Sequence, residues 1–370
     1  MGQPNGLLRI PRHILGLILD EFCHHHVHGL EEAFRSEPDE PGAWQLREQK
    51  RLSATESIPT LAILCRTSKT IAEHATWRLY HTIPASRMQK SWPLLARTLL
   101  SRPDLAALVK STSLVDLFVP RGLPVFPPEV VAYWAAQFAR LPSFEPGRFD
   151  FDKPLAVEDL ANRDSENQAA VSASTMCSLL PSLETLEVTN NSFSESCPCF
   201  MLQKPGSLPA LRSLQIAHWD TEFGFDITEV VGILDAAPRL KHLRMIQAGY
   251  GGLYDVDDDE LDSNKAPSLC LKNILRLDML CCTMTARELG RILRMCPNVH
   301  EVYYFCGGPC YGDEQFGPLE ATSAVLRNGH NVEKVDIDLC NWEDMEEFEE
   351  SDMRWGEAVL AARGIACRFR

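Results

Sequence analysis

The chain is 370 residues long, 45% apolar and 24% charged, ordinary figures for a chain that folds around a real core. Its formal net charge of -15 argues against binding nucleic acid through phosphates, or an anionic membrane face, because both need a basic surface. No run of 18 apolar residues marks a membrane span, and the start MGQPNGLLRIPRH lacks the basic region and apolar stretch of a secretory signal.

Residues 7–22, LLRIPRHILGLILDEF, predict a short entry turn and then an amphipathic helix. Pro11 sits in the first turn, where a missing N–H breaks no bond, and Ile14, Leu15, Ile18 and Phe22 fall on one face. Cys23, His24, His25, His26 and His28 follow, the densest group of metal-capable side chains in the chain. A zinc site needs four converging ligands, whereas a consecutive run after a helix end splays them apart, so this run reads as a polar loop. The loop continues through SEPDEPG to about Ser57. A second helical block is predicted over 58–83, with Leu61, Leu64, Cys65, Ile71, Ala72, Ala75, Leu79 and Tyr80 as its apolar positions. The phrase RTLLSRPDLAALVKSTSL stands at 97–114.

These blocks resemble an F-box domain of the kind found ahead of repeats in many fungal proteins. Ile10-Pro11 with Ile14-Leu15 and Ile18 matches the Leu-Pro and Ile-Leu phrase of its first helix. Leu61, Leu64, Cys65 and Ser68 match its middle helix, Leu79-Tyr80 its end, and 97–114 the bridge to the repeats. The chain departs from the family at His13, where an acidic residue is usual, and in the insert at about 23–57. The resemblance implies that Ile10, Pro11, Ile14, Leu15, Ile18, Leu61 and Leu64 dock a Skp-type adaptor, itself bound to a cullin scaffold. The alternative is that these helices only cap the open end of a repeat array.

A phrase then recurs: LLPSLETLEV at 179–188, SLPALRSLQI at 207–216 and AAPRLKHLRM at 236–245. Looser copies are LKNILRLDM at 271–279, CPNVHEVYY at 296–304 and GHNVEKVDI at 329–337. Aligning Leu183, Leu211, Leu240, Ile274, Val299 and Val332 gives spacings of 28, 29, 34, 25 and 33. Apolar residues stand three positions on (Leu186, Leu214, Leu243, Leu277, Val302, Val335) and five on (Val188, Ile216, Met245, Met279, Tyr304, Ile337). The two-residue step is strand periodicity. Helical patterns accompany several copies, as at 227–238 and 285–297, and Pro181, Pro209, Pro238 and Pro297 stop them before the strand.

One strand and one helix per 25 to 34 residues resembles the leucine-rich-repeat family, over roughly residues 130–340. The chain departs from it in lacking a regular Asn or Cys after the strand, with only Asn190 and Cys281 near that position. A doubly wound sheet also alternates helix and strand, but has no reason to repeat one phrase six times. The expected fold is therefore α/β: a leucine-rich-repeat solenoid with one parallel sheet and helices on its other face, preceded by a small all-helical F-box-like region. The boundaries are 1–85 for the helical region, 86–150 for bridging helices and a first degenerate repeat, and 151–370 for the solenoid.

Nothing in the chain points to catalysis, a metal or a cofactor. Thirteen cysteines, an odd number without paired spacing, read as reduced thiols of a protein of cytoplasm or nucleus. Cys197-Pro198-Cys199, Cys281-Cys282 and the pair Cys306 and Cys310 do not form CxxC sites. DVDDDELD at 255–262 resembles the start of a calcium loop, but Glu260 stands where the turn requires Gly. EDMEEFEE at 343–350 reads as an exposed acidic face. No GxSxG, GxxxxGK[ST] or strand-borne GxGxxG is present.

The function expected is protein holding: a substrate receptor of a cullin-type ubiquitin ligase, or a repeat scaffold with no ligase link. The substrate protein cannot be named. If Leu186 and Val188 point into the core, Glu187 points away, and the same offset gives a row of Glu187, Gln215, Arg244, Asp278, Tyr303 and Asp336. Two positions later lie Thr189, Ala217, Ile246, Leu280, Phe305 and Asp338. Solenoids bind on their extended concave surface, and Arg and Tyr dominate interface energies, so Arg244, Ile246, Tyr303 and Phe305 are the expected partner-binding centre. Asp336 and Asp338 then lie nearer the rim. The alternative is a C-terminal segment covering this face.

Overall fold

The computed structural model describes residues 11–20, 58–84, 92–114, 176–190, 205–218, 224–225, 227–249, 271–307, 316–339 and 349–370. The insert at 23–57, with its Cys-His run, lies outside them, as do 197–199, 255–262, Cys310 and all but the end of 343–350. Two short helices open the described chain, α1 (Arg12–Asp20) and α2 (58–64). A longer helix, α3 (Lys69–His81), begins where the Ser68 hydroxyl accepts a hydrogen bond from the Ile71 amide, which satisfies one of the first-turn donors. The predicted block 58–83 is therefore two helices broken at 65–67, and its last two residues are already strand.

Among the described residues nine strands form one parallel sheet, and their order in space is their order in the chain. They are β1 (Thr82–Pro84), β2 (Ser111–Ser113), β3 (Thr185–Asn190), β4 (Ser213–His218) and β5 (His242–Ile246), then β6 (Arg276–Cys282), β7 (Glu301–Cys306), β8 (Lys334–Asp338) and β9 (Ala366–Phe369). Helices α4 (Trp92–Ser101) and α5 (Pro103–Ala106) lie between β1 and β2. A 3-10 turn (Ile227–Val230) leads into α6 (Val231–Ala236) before β5. Next come α7 (Ala286–Met295), α8 (Pro318–Asn328) and α9 (Glu350–Ala362), before β7, β8 and β9 respectively. One sheet whose neighbours are always consecutive, with helices in the crossovers, is an α/β arrangement of solenoid type.

The recurring phrase maps onto this sheet position for position. Leu186, Leu214, Leu243, Leu277, Val302 and Val335 are register partners across β3 to β8. All eighteen aligned apolar positions are buried, none more than 5% exposed. The sheet also extends past the six phrases. β1 and β2 lie in segments assigned by sequence to the helical region and the bridge, and β9 follows the last phrase.

Two hydrogen-bond ladders hold successive turns together at the strand entries. The Lys110 carbonyl accepts from the amides of both Glu184 and Thr185, at 2.8 and 3.0 Å. The carbonyls of Glu184, Arg212, Lys241, Leu275 and His300 each do the same for the next strand. Beside this backbone ladder runs a side-chain one: Asn273 donates to the Pro238 carbonyl, Asn298 to Lys272 (2.8 Å) and Asn331 to Pro297 (2.8 Å). These asparagines stand one residue before the aligned Ile274, Val299 and Val332, so the last three copies share an Asn at the strand's entry, where the first three have Ser182, Ala210 and Arg239.

The cappings are local and legible. Thr285 and Glu288 form a reciprocal box at the start of α7, each side chain taking the other residue's amide. At the exits of β5 and β6, Gln247 and Cys281 both adopt positive φ, 60° and 51°, at equivalent positions after the paired Ile246 and Leu280. Gly249 then passes so close to β6 that a Cβ there would stand 2.0 Å from the Thr283 carbonyl oxygen, which excludes every other residue.

Replacing Leu214 by Ala should cost about 2–5 kcal/mol in urea unfolding, as for a core leucine with no room to collapse. Asn298→Ala, at an exposed edge, should cost only about 0.5–1.5 kcal/mol. Equal losses at the two sites would contradict the packing described.

Candidate functional site

Two regions carry the sequence-predicted site residues. The first is the helical region, which has a small core of its own: Leu15, Leu19, Leu61, Ile71 and Ala75, with Leu64, Cys65 and Leu79 packed against it. Arg78 of α3 clamps α1 from the side, donating from Nε to Asp20 (2.8 Å) and from NH2 to the Gly16 carbonyl (2.9 Å). The opposite side of α1 is apolar and exposed. Ile14 is 38% exposed, Leu17 61% and Ile18 42%. On α2, Ile63 is also exposed.

This divides the expected adaptor residues. Ile14, Ile18 and Pro11 face solvent. Leu15 and Leu61 do not: both are buried, and Leu64 is half-buried against the same core. Leu15 and Leu19 are four apart and face α2 and α3, while Ile14, Leu17 and Ile18 fall on the neighbouring stripe. The sequence reading merged the two stripes and left out Leu17. Ile10 lies outside the described residues.

The second region is the sheet face that points away from the leucine core. Its register runs Glu187, Gln215, Arg244, Asp278, Tyr303, Asp336, Arg368, the predicted row with one member added by β9. Ile246, Leu280 and Phe305 are likewise partners in one row, half-buried. The exposure expected of the other two binding residues is not found. Arg244 is 1% exposed and Tyr303 is 5%. Arg244 lies over β6 and donates from Nε (2.9 Å) and NH2 (2.7 Å) to Asp278, instead of reaching outward.

Asp278, fully buried, is the hub of this face. Its carboxylate also accepts from Arg276 Nε at 2.8 Å and pairs with His242 Nε2 at 2.9 Å. Burial pushes the Asp278 carboxyl up, but the His242 hydrogen bond and the charges of Arg244 and His242 outweigh it and hold the group well below the usual carboxylate range. A second knot centres on Tyr303. Lys334 Nζ donates to its hydroxyl (2.9 Å), the hydroxyl faces Glu301 (3.3 Å), and Arg276 stands 4.4 Å from the ring centroid. A third is Asp336, which takes guanidinium groups from both Arg368 and Arg370. Sequence reasoning missed His242, Arg276 and Lys334 because it followed the row containing Arg244 and the row two positions later, but not the one before. They stand two residues before the members of the Arg244 row, on the same face.

The buried thiols are held protonated: burial raises Cys282 strongly and Cys306 to about 11. A cavity of about 10 Å³ beside Phe225, Met284 and Ile292 has room for a single water. Among the described residues, no group of three or more His, Cys, Asp or Glu side chains is placed to hold a metal ion. No described helix is long and apolar enough to cross a membrane. In comparison with known proteins, the chain matches no family model and no curated sequence.

Asp278→Asn should cost about 3–5 kcal/mol, because it leaves the buried Arg244 charge without its counter-ion. Folding depresses the Asp278 pKa, so its contribution is present above about pH 4 and is lost as pH falls below that. Denaturation followed from pH 6 to pH 2 should therefore show a steeper acid loss in the wild type than in Asp278→Asn. Parallel curves would show that the carboxylate does not titrate with folding.

Proposed function

We propose that this chain is a substrate receptor of a cullin-type ubiquitin ligase, with an F-box-like helical region docking a Skp-type adaptor and a leucine-rich-repeat solenoid holding the substrate protein. The observation that carries the reading is the stripe of Ile14, Leu17 and Ile18 on α1, apolar and exposed although the helix already has a packed side. An amphipathic helix that keeps large aliphatics in water beside a finished core is built to enter a groove. Its place ahead of the sheet fits the resemblance of 7–22 and 58–83 to the F-box phrase. In this reading the protein does no covalent chemistry and works in cytoplasm or nucleus by proximity, raising the effective concentration of its cargo at the ligase.

The second reading is a repeat scaffold with no ligase link. Tyr80, Leu95 and Leu100, from the helices around β1, pack on the main core and close its N-terminal end, which is what a cap does. Capping accounts for those contacts but not for the outward stripe on α1.

Co-expression with a Skp-type adaptor separates the readings. The double change Ile14→Asp and Ile18→Asp should abolish adaptor recovery with little change in melting temperature, since neither side chain belongs to the small packed core. Leu15→Asp, in contrast, should unfold the small core and lose the adaptor together with thermal stability. Wild-type protein that never retains the adaptor would leave only the scaffold.

A further inference from the structure

We infer that the outer edge of β9 fits a second copy of this chain, and that Glu357 of α9 guards it against that pairing. Nothing in this depends on whether α1 docks an adaptor.

In a parallel sheet, alternate residues of a strand turn their main-chain groups to opposite neighbours. On β9 the amides of Ala366 and Arg370 go back to β8, to the carbonyls of Glu333 (2.8 Å) and Ile337 (3.0 Å). The amides and carbonyls of Cys367 and Phe369 therefore point the other way. Their register partners on β8 are Val335 and Ile337, the row whose main chain turns toward β9. Among the described residues β9 pairs with β8 alone, so the same groups on β9 have no further strand to hold.

Glu357 occupies one of them. It is half-buried on α9, and its Oε1 accepts from the Phe369 amide at 2.9 Å. Burial and then the Glu357 charge push the Cys367 thiol up to about 12, so the carboxylate lies near both outward residues. An open strand edge is a template for another chain, and a charge set against it blunts it.

The edge's own length selects the occupant. β9 has four residues, of which two turn outward, so a longer partner strand finds nothing more to bond, whereas a second β9 matches it group for group. Two such edges, antiparallel about a two-fold axis, set Cys367 of each copy opposite Phe369 of the other. Four hydrogen bonds then use every outward amide and carbonyl of these residues. With Glu357 in place, the two donated by the Phe369 amides are lost. The same register puts Arg368 opposite Arg368 of the second copy, and like charges directly opposite oppose pairing.

The test is the mass of the purified full chain by light scattering over a dilution series. Wild type should have the mass of one chain throughout. Glu357→Ala should shift to the mass of two chains as concentration rises, while Glu357→Gln keeps an acceptor oxygen and should stay at one. Adding Arg368→Gln to Glu357→Ala should tighten the pairing about threefold. Adding Cys367→Pro instead removes the other outward amide, at an edge position where proline is tolerated, and should return the variant to one chain. Hydrogen exchange reads the guard without any variant: in the wild type the Phe369 amide should be protected and that of Cys367 should exchange fast. Equal, fast exchange of the two would overturn the proposal, as would a folded Glu357→Ala that stays at one chain. It is also overturned by association that survives Cys367→Pro, or by a wild-type dimer that Cys367→Pro dissolves, since that edge would be unguarded.

Discussion

A single carbonyl oxygen at the mouth of each strand from β2 to β7, taking two amides from the next strand along, sets the terms for the rest of this molecule. It recurs at Lys110, Glu184, Arg212, Lys241, Leu275 and His300, and fixes each strand against its neighbour without a slip. A slip by one residue would turn every leucine of a strand to the wrong face. With the register fixed, both faces become sets of rows. One face stacks Leu186, Leu214, Leu243 and Leu277 into a continuous core. The other aligns Arg244 with Asp278 and Asp336 with Arg368, residues far apart in sequence that meet only because each stands at the same offset from its own strand entry.

The two faces are stabilised by different physics, and this bears on what each can do. The leucine face gains by removing apolar area from water and is indifferent to salt and to pH. The polar face depends on buried charge, where an ion pair is held by its geometry and where removing one partner is worse than removing both. Mutational tolerance should differ accordingly. The leucine rows accept other aliphatics of similar volume, while the Asp278 hub, with two guanidinium groups and the His242 imidazole converging on it, accepts almost nothing.

Much of this was legible in the sequence, for identifiable reasons. Leu186, Leu214 and Leu243 could be placed because the same step of three and then two recurs in each copy. Helix α7 could be placed because a helical pattern of apolar residues runs over 285–297 and Pro297 stops it. The strands β1 and β2 could not: they are three residues each, TIP and STS, too short and too rich in hydroxyls to show a period. The asparagine ladder was in plain view at Asn273, Asn298 and Asn331, but one residue before the aligned position, where it was not sought. Burial of Arg244 was hidden for a deeper reason. Alternation tells which face a side chain leaves from, not whether a neighbour of opposite charge then draws it down along the sheet. The available signal was the alternation of sign across copies, Arg244 against Asp278 and Asp336 against Arg368.

Helix α3 runs into β1 with no residue between them, His81 ending one and Thr82 beginning the other. Near that junction Leu79 packs on the small core and its neighbour Tyr80 on the large one. Two adjacent side chains thus belong to two different interiors, and the helix between them has no joint at which to bend. A load applied to α1 is carried straight into the first strand of the sheet. The stripe at Ile14 and the sheet are therefore connected through a helix continuous with β1 rather than through a linker.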